Sequence, residues 1–259
     1  MKKPSKTART FLPAVRRSGA YTKTSSAHSR RLRGVCRTIL ASLLIAWQPL
    51  QLRLLADHQT RLDPKIVTLK SGDLATLDAA TALRDATDLE ERRVSLLSGT
   101  GYFNVNSTGR RFIVSADGIT AEAIGTEFEV SHVGDDVIVT VAEGIVDVSR
   151  DNKMTRLSEG QQLRVSTNDM LIRRLDSDEV AVWRADRLSL EGLTFAEAAL
   201  IVGRRLPGRV IVLGSALQNT EVAGVLDLSE PDSALDTLAA SSSAGVLRAS
   251  TLLTILYAR

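Results

Sequence analysis

The chain has 259 residues, of which 44% are hydrophobic, 24% charged and 4% aromatic, a composition typical of one large or two small folded domains rather than of a disordered protein. Its single cysteine, Cys36, excludes an internal disulfide and a cysteine-based zinc site. The net charge of +3 averages two different regions, because residues 1–56 contain 12 Lys or Arg and no Asp or Glu, and the rest contains 21 basic and 30 acidic residues. We therefore expect no nucleic-acid partner for the large acidic part.

Residues 1–37 are predicted to form a basic cytoplasmic tail, and residues 38–55 a transmembrane helix. The uncharged stretch Thr38–Leu52 would be about 22 Å long as a helix, short of a hydrocarbon core of about 30 Å. Arg37 and Arg53 flank it and can snorkel, which lengthens the effective span. Because basic residues stay on the cytoplasmic side, we expect one crossing of a bacterial inner membrane with the remaining chain in the periplasm.

Two other interpretations of the apolar stretch stay open, namely a cleaved secretory signal and a buried core helix. A cleaved signal needs a small-x-small site after the apolar run, and Gln48–Ala56 offers no convincing one. A core helix does not explain the basic flank without acids. Ser29–Arg33 (SRRLR) loosely matches a twin-arginine export signal, so the export route stays open as well.

Residues 62–175 predict an all-β domain, either a sandwich or a β-solenoid. Short runs of alternating apolar and polar residues, such as Ile66–Leu69 and Val137–Val141, are separated by Gly, Asn and Asp. Strands at a spacing of 8–12 residues with turn signals between them are typical of these folds. No helix of useful length fits between Val94 and Val165.

Residues 186–259 predict a small α+β domain of order β-α-β-β-α-β-β, after a polar boundary at Asp176–Glu179. Thr194 is a plausible helix N-cap, with Glu197 three residues later as its capping-box partner. Asp232 or Ser233 is expected to cap the second helix. The predicted elements are strand Leu188–Leu190, helix Phe195–Leu206, strands Val210–Leu213 and Val222–Leu226, helix Ala234–Ala240 and hairpin Val246–Tyr257.

An ordered series of motifs runs through roughly residues 50–190. Gly101–Val105 (GYFNV) is followed by Gly125–Val130 (GTEFEV), Val139–Val148 (VTVAEGIVDV) and Leu157–Leu163 (LSEGQQL). The series resembles the FecR family of ferric-citrate-type sigma-factor regulators. One motif alone would be weak, but their order is specific. Ser71–Asp73 departs from the family's Asp-Gly-Ser turn, and Gly99–Phe103 departs from its Gly-Glu-Ala-x-Phe.

The resemblance implies a function, a location and two partners. It implies an anti-sigma factor that crosses the inner membrane once and relays a signal from an outer-membrane TonB-dependent transducer to an extracytoplasmic-function sigma factor, in iron or other nutrient uptake. It also implies that the C-terminal domain is similar to the short N-terminal domain of secretins and TonB-dependent receptors. Family members usually carry a helical cytoplasmic domain that holds the sigma factor, whereas this chain offers only the basic tail. A membrane-anchored periplasmic scaffold or binding module without sigma-factor control is the alternative.

No pattern of residues indicates an enzyme, and we expect no catalytic residue, metal or cofactor. Glu127 and Glu129 share one face of a predicted strand, as a glycosidase pair could, but we interpret them as a solvated face opposite Phe128 and Val130. The histidines lie in unlike segments, and His132 is expected in a surface hairpin loop.

The candidate partner-binding residues are Val222, Gly224, Val225 and Leu226. They form a short predicted strand in which Gly224 lets another backbone approach closely, and a strand at a sheet edge is a template for a strand of a second chain. The resemblance supplies the partner, the signalling domain of the transducer. The alternative is that Val222 and Leu226 only fill the core.

Overall fold

The computed structural model of the protein describes residues 55–151, 153–176 and 179–259. The expected basic tail at 1–37 and all of the expected membrane helix at 38–55 except Leu55 lie outside these residues. Within them, no helix is long and apolar enough to cross a membrane.

Thirteen strands between His58 and Arg174 form one curled, half-barrel sheet. Their bounds are β1 His58–Gln59, β2 Lys65–Thr68, β3 Leu74–Leu77, β4 Ala82–Asp85, β5 Arg92–Asn104, β6 Phe112–Ala116, β7 Ile119–Ala123, β8 Glu127–Val133, β9 Asp136–Glu143, β10 Ile145–Arg150, β11 Lys153–Ser158, β12 Gln161–Val165 and β13 Met170–Arg174. The prediction of a mainly β protein is confirmed for the described residues. His132 lies within β8 and not in the expected hairpin loop, because the turn begins only after Val133.

The 13-residue strand β5 joins the two arms of this sheet. Its first residues pair in parallel with β6, which leads to β7, β10 and β11, and its last residues pair with β8, which leads to β9, β12 and β13. Gly99 lies at the change of partners, with a φ of +85°, and a Cβ atom there would lie 2.3 Å from Thr81 Oγ1. Only glycine therefore fits at this point of the strand.

The arms enclose one apolar core. Phe103, Phe112 and Phe128 are fully buried in it, with ring centroids 5.5–6.4 Å apart. At the edge of the core, the buried Arg92 donates to the buried Asp73 at 3.0 Å. The alternation of apolar residues along each strand thus faces a common interior, as predicted.

The C-terminal part has a second apolar cluster beneath helices and short strands. Its elements are a 3₁₀ helix at Val182–Ala185, β14 Arg187–Ser189, β15 Leu193–Thr194, α1 Phe195–Gly203, β16 Arg209–Leu213, α2 Ser215–Gln218, β17 Glu221–Val222, β18 Val225–Asp227, α3 Pro231–Ser241, β19 Ala244–Ser250 and β20 Leu253–Ala258. β20 is the central strand of a three-stranded sheet between β16, which is parallel to it, and β19, which is antiparallel.

Several local predictions for this part can be compared with the structure. The capping box is confirmed, since Thr194 Oγ1 accepts from Glu197 N and the Glu197 carboxylate accepts from Thr194 N at 2.8 Å. The expected cap of the last helix at Asp232 or Ser233 is wrong, because that helix begins at Pro231, whose fixed φ suits the first helical turn. The strand expected over Val222–Leu226 is two short strands with a turn between them.

Candidate functional site

The four candidate partner-binding residues lie on β17, β18 and the turn between these strands. Val222 and Leu226 are buried in the C-terminal core, whereas Val225 is 54% exposed. Gly224 has a φ of +112° and open space on the side where a Cβ would lie. Val222 and Leu226 are therefore core residues, and only Val225 and the backbone of Gly224 are accessible to a partner.

The two strands belong to separate two-stranded ladders. β17 pairs with β15, and β18 pairs with β14, in which Leu226 is opposite Leu188. Leu190 N donates to Gly224 O at 2.9 Å. Since bonded residues alternate along an antiparallel ladder, the N–H of Val225 points away from β14. No strand of the described residues pairs with that side of β18.

A second candidate site is the junction at which the C-terminal part covers the outer face of β5 and β8. Trp183, in the 3₁₀ helix, donates its indole N–H to Glu129 Oε2 at 2.7 Å. Glu127 accepts from Tyr102 Oη and Asn104 Nδ2, each at 2.5 Å. The prediction that Glu127 and Glu129 form a solvated face is wrong for Glu129, because Trp183 of the C-terminal part packs on it. Glu127 pairs within the sheet, beside the exposed Asn104.

Burial dominates the electrostatics of this face. It raises the pKa of Glu129 to about 7, although the Trp183 hydrogen bond acts in the opposite direction. Burial, followed by the hydrogen bond to Glu127, also raises the pKa of Tyr102 above its usual value. The guanidinium of Arg184 lies 4.0 Å from the centroid of the Tyr102 ring, as in a cation–π contact.

Two consecutive arginines after α1 complete the junction. Arg205 Nη2 donates to Asp78 Oδ1 at 2.9 Å and to Trp183 O at 3.1 Å. Arg204 donates to Thr100 Oγ1 at 3.3 Å and to the carbonyl oxygen of His132. Burial raises the pKa of Asp78 more than the positive charge of Arg205 lowers it.

Sequence reasoning missed this junction. The adjacent Arg204 and Arg205, directly after an amphipathic helix, were its available signal, but an arginine pair in that position is also typical of a solvent-exposed helix end. The boundary expected at Asp176–Glu179 lies just before Trp183. Each contact is a hydrogen bond, an ion pair or a ring contact, so the arrangement is suited to holding two parts of a protein together.

In residues 55–151, 153–176 and 179–259, no three His, Cys, Asp or Glu side chains are placed to hold a metal ion. Most polar atoms of the junction are paired with one another, but the buried Arg205 Nε has no hydrogen-bond partner among the described residues.

Comparisons with known proteins bear on the family and on the fold. Residues 65–147 match a family model described as FecR protein. Two crystal structures of a candidate anti-sigma factor from Parabacteroides distasonis, at 1.65 and 2.50 Å resolution, share the fold with a TM-score of 0.70 and 22% identity. The similarity covers 78% of this chain and 97% or 98% of theirs. No curated protein matches the chain by sequence. Residues 65–147 of this chain are therefore a FecR domain.

Proposed function

We propose that this protein regulates a sigma factor. The observation that carries the proposal is the FecR domain at residues 65–147. The fold shared with proteins described as candidate anti-sigma factors extends over 78% of the chain and supports it. The absence of an evident reaction centre among the described residues is consistent with a regulator and carries no weight by itself.

The full proposal is a relay across the inner membrane of a bacterium. The N-terminal tail lies in the cytoplasm, residues 38–55 cross the membrane, and the FecR domain and the C-terminal part lie in the periplasm. The support is the charge distribution, with 12 basic and no acidic residues before Asp57. The input is the signalling domain of an outer-membrane TonB-dependent transducer and the output is an extracytoplasmic-function sigma factor, in iron or other nutrient uptake.

A transcriptional reporter tests the output. The gene is deleted from its own host, and transcription from promoters of each extracytoplasmic-function sigma factor of that host is measured under iron-replete and iron-limited growth. A regulator changes reporter activity or its response to iron at least several-fold, and the intact gene restores it. An unchanged response in the deletion strain contradicts sigma-factor control and leaves the periplasmic scaffold. Alkaline phosphatase fused after Thr60 should be active, and an inactive enzyme there contradicts the topology.

The input side is tested at β18. The N–H of Val225 points to the side of β18 that no described strand occupies, so it is available to pair with a strand of the transducer's signalling domain. Val225→Pro removes that donor and leaves the β14 ladder its own hydrogen bonds. Val225→Thr keeps the donor and serves as the matched control.

We expect Val225→Pro to weaken binding of the purified signalling domain at least tenfold and Val225→Thr to leave it within about twofold. Circular dichroism checks that both variants fold. Unchanged affinity in a folded Val225→Pro variant excludes this edge as the docking site without excluding sigma-factor control, which the reporter measures independently.

A further inference from the structure

A cavity of about 140 Å³ lies between the outer face of the FecR domain's sheet and the C-terminal part. Glu129, Ser131 and Trp183 line it, and its apolar wall comes from both sides, from β8, β9 and β13 on one and from β14, β15 and α1 on the other. An apolar cavity of about 150 Å³ is large enough for a benzene ring. The apolar lining residues are Val133, Ile138, Leu171, Leu188, Leu193 and Ile201.

Glu129 provides a polar anchor in this cavity. Its Oε2 accepts the indole N–H of Trp183, and its Oε1 has no hydrogen-bond partner in the part of the chain that the structure describes. Glu129 is only partly buried and Oε1 is not sealed from solvent, so a ligand can reach this oxygen. A ligand that donates to Oε1 would replace water there with a charge-assisted hydrogen bond.

Two of the three arginines of the cavity wall, Arg164 and Arg173, are already paired. Arg164 donates to Asp136 at 2.6 Å and to Gly192 O at 2.8 Å. Arg173 donates to Gln162 Oε1 at 2.6 Å and to a backbone carbonyl oxygen at 2.8 Å. An anionic ligand would have to displace these partners or bind at Arg187, and in either case it would share the cavity with Glu129.

We propose that this cavity binds a small organic cation, with an apolar body of about one ring against the aliphatic wall and a primary ammonium group on Glu129 Oε1. The volume of the cavity suits a ligand with one ring. The Glu129 carboxylate, which has one oxygen without a donor among the described residues, favours a ligand with a positive charge. Because the wall belongs to both parts of the molecule, an occupant contacts both at once. Its binding therefore strengthens the packing of the C-terminal part on the FecR domain.

The affinity should depend on pH through Glu129. The charged groups that face this carboxyl are Arg184 of the 3₁₀ helix and Asp78 after β3, together with Arg164 and Arg173 on β12 and β13, and Glu179, Arg187 and Glu191 on the C-terminal side. No histidine of the described residues lines the cavity. With a pKa of about 7 for Glu129, the ionised fraction that binds a cation rises about tenfold between pH 6 and pH 8, and the apparent affinity rises with it.

Trp183 reports on the cavity directly. The chain has two tryptophans, so a Trp47→Phe background leaves Trp183 as the single tryptophan, which excitation at about 295 nm selects over the three tyrosines. Benzylamine, a one-ring primary ammonium at these pH values, is titrated at pH 8, with benzyl alcohol and phenylacetate as the neutral and anionic counterparts. We expect a saturable change in Trp183 emission with benzylamine, weaker binding of the alcohol and the weakest binding of phenylacetate.

Glu129→Gln keeps an oxygen for Trp183 but removes the charge, and should weaken benzylamine binding at least tenfold. Glu127→Gln is the matched control, since it removes a carboxylate two residues away that does not line the cavity, and should leave the affinity within about twofold. The pH series needs no substitution at Glu129 and decides the matter if Glu129→Gln fails to fold. Unchanged affinity in a folded Glu129→Gln variant, equal or tighter binding of phenylacetate, an affinity that is flat from pH 6 to 8, or no saturation at tens of millimolar overturns the proposal.

Discussion

Replacement of Arg205 by methionine should destabilise the protein by about 3 kcal/mol. Arg205 and Asp78 form an ion pair at 2.9 Å in which the two side chains are only 5% and 2% exposed. Removing one partner of a buried pair leaves an uncompensated charge and typically costs about 3–5 kcal/mol. The lower end applies here because Asp78 keeps a hydrogen bond from the backbone of Ala79 and the nearby charge of Arg204.

Urea unfolding of the full-length chain measures this loss, with Trp183 emission in the Trp47→Phe background as the probe. Arg111→Met is the control, because Arg111 forms a 3.0 Å ion pair with Glu122 while its own side chain is 72% exposed. The control should lose about 0.5 kcal/mol or less, since exposed pairs contribute little.

The loss should also depend on pH in a fixed direction. Burial holds the pKa of Asp78 above its unfolded value, and removal of Arg205 raises it further because an attraction is lost. A carboxyl with a raised folded pKa loses stability as pH rises from its unfolded pKa toward its folded pKa. The deficit of Arg205→Met relative to the unsubstituted protein should therefore shrink as pH falls from about 7.5 toward 5. A loss below about 1 kcal/mol, or one that is equal at both pH values, refutes the reasoning.

Three further substitutions test the fold and the junction. Gly99→Ala should cost at least about 2 kcal/mol, because its Cβ would lie 2.3 Å from Thr81 Oγ1, whereas Gly134→Ala has open space and should cost only about 1 kcal/mol; similar melting temperatures for the two variants would contradict this. Phe128→Ala removes a fully buried ring and should lower the free energy of unfolding by about 3–5 kcal/mol, as measured in urea, and a loss near zero would exclude the central core that we describe. Because the folded pKa of Glu129 is raised from 4.5 to about 7, the protein should lose stability as pH rises from 4.5 to 7. Glu129→Gln should reduce the dependence of the urea midpoint on pH. An unchanged dependence would mean that another group causes it.

The sequence was informative wherever a strand has one buried face. Period-2 alternation identifies Phe128 and Val130 as core residues, and both are buried in β8. The capping box at Thr194 and Glu197 is a local device and was predicted from two residue types at the right spacing. These features depend on near neighbours in the chain, so they can be seen without knowledge of the fold.

The outer face of β8 shows why the rest could not be predicted. The alternation of side chains along a strand predicts that Glu127 and Glu129 lie on the opposite face from Phe128. It does not predict which other part of the chain packs on that face. The cover of Glu129 comes from Trp183, 54 residues later in the chain, and the Arg205–Asp78 contact spans 127 residues. A single sequence carries no signal for pairings at such separation.

The split of the expected strand at Val222–Leu226 has a local cause that the sequence did contain. Gly224 was interpreted as a point of close approach, but a φ of +112° makes it a turn residue. Both interpretations fit an isolated glycine in an apolar run. The geometry of the ladder to β14, which decides which N–H groups of β18 point outward, requires the partner strand to be known.

The arginine contact has a consequence for chimeric proteins built from relatives of this chain. Arg205 reaches across to Asp78, which lies after β3, so the C-terminal part carries half of a charge pair whose other half belongs to a segment more than 100 residues earlier. A C-terminal part transplanted without that carboxylate would leave the buried Arg205 ion-paired only with Asp186 of its own part, at 2.6 Å. Exchanged segments should therefore function best when position 78 and position 205 come from the same parent, and a library of crossovers at the residues after β13 should be depleted of mismatched pairs at these positions.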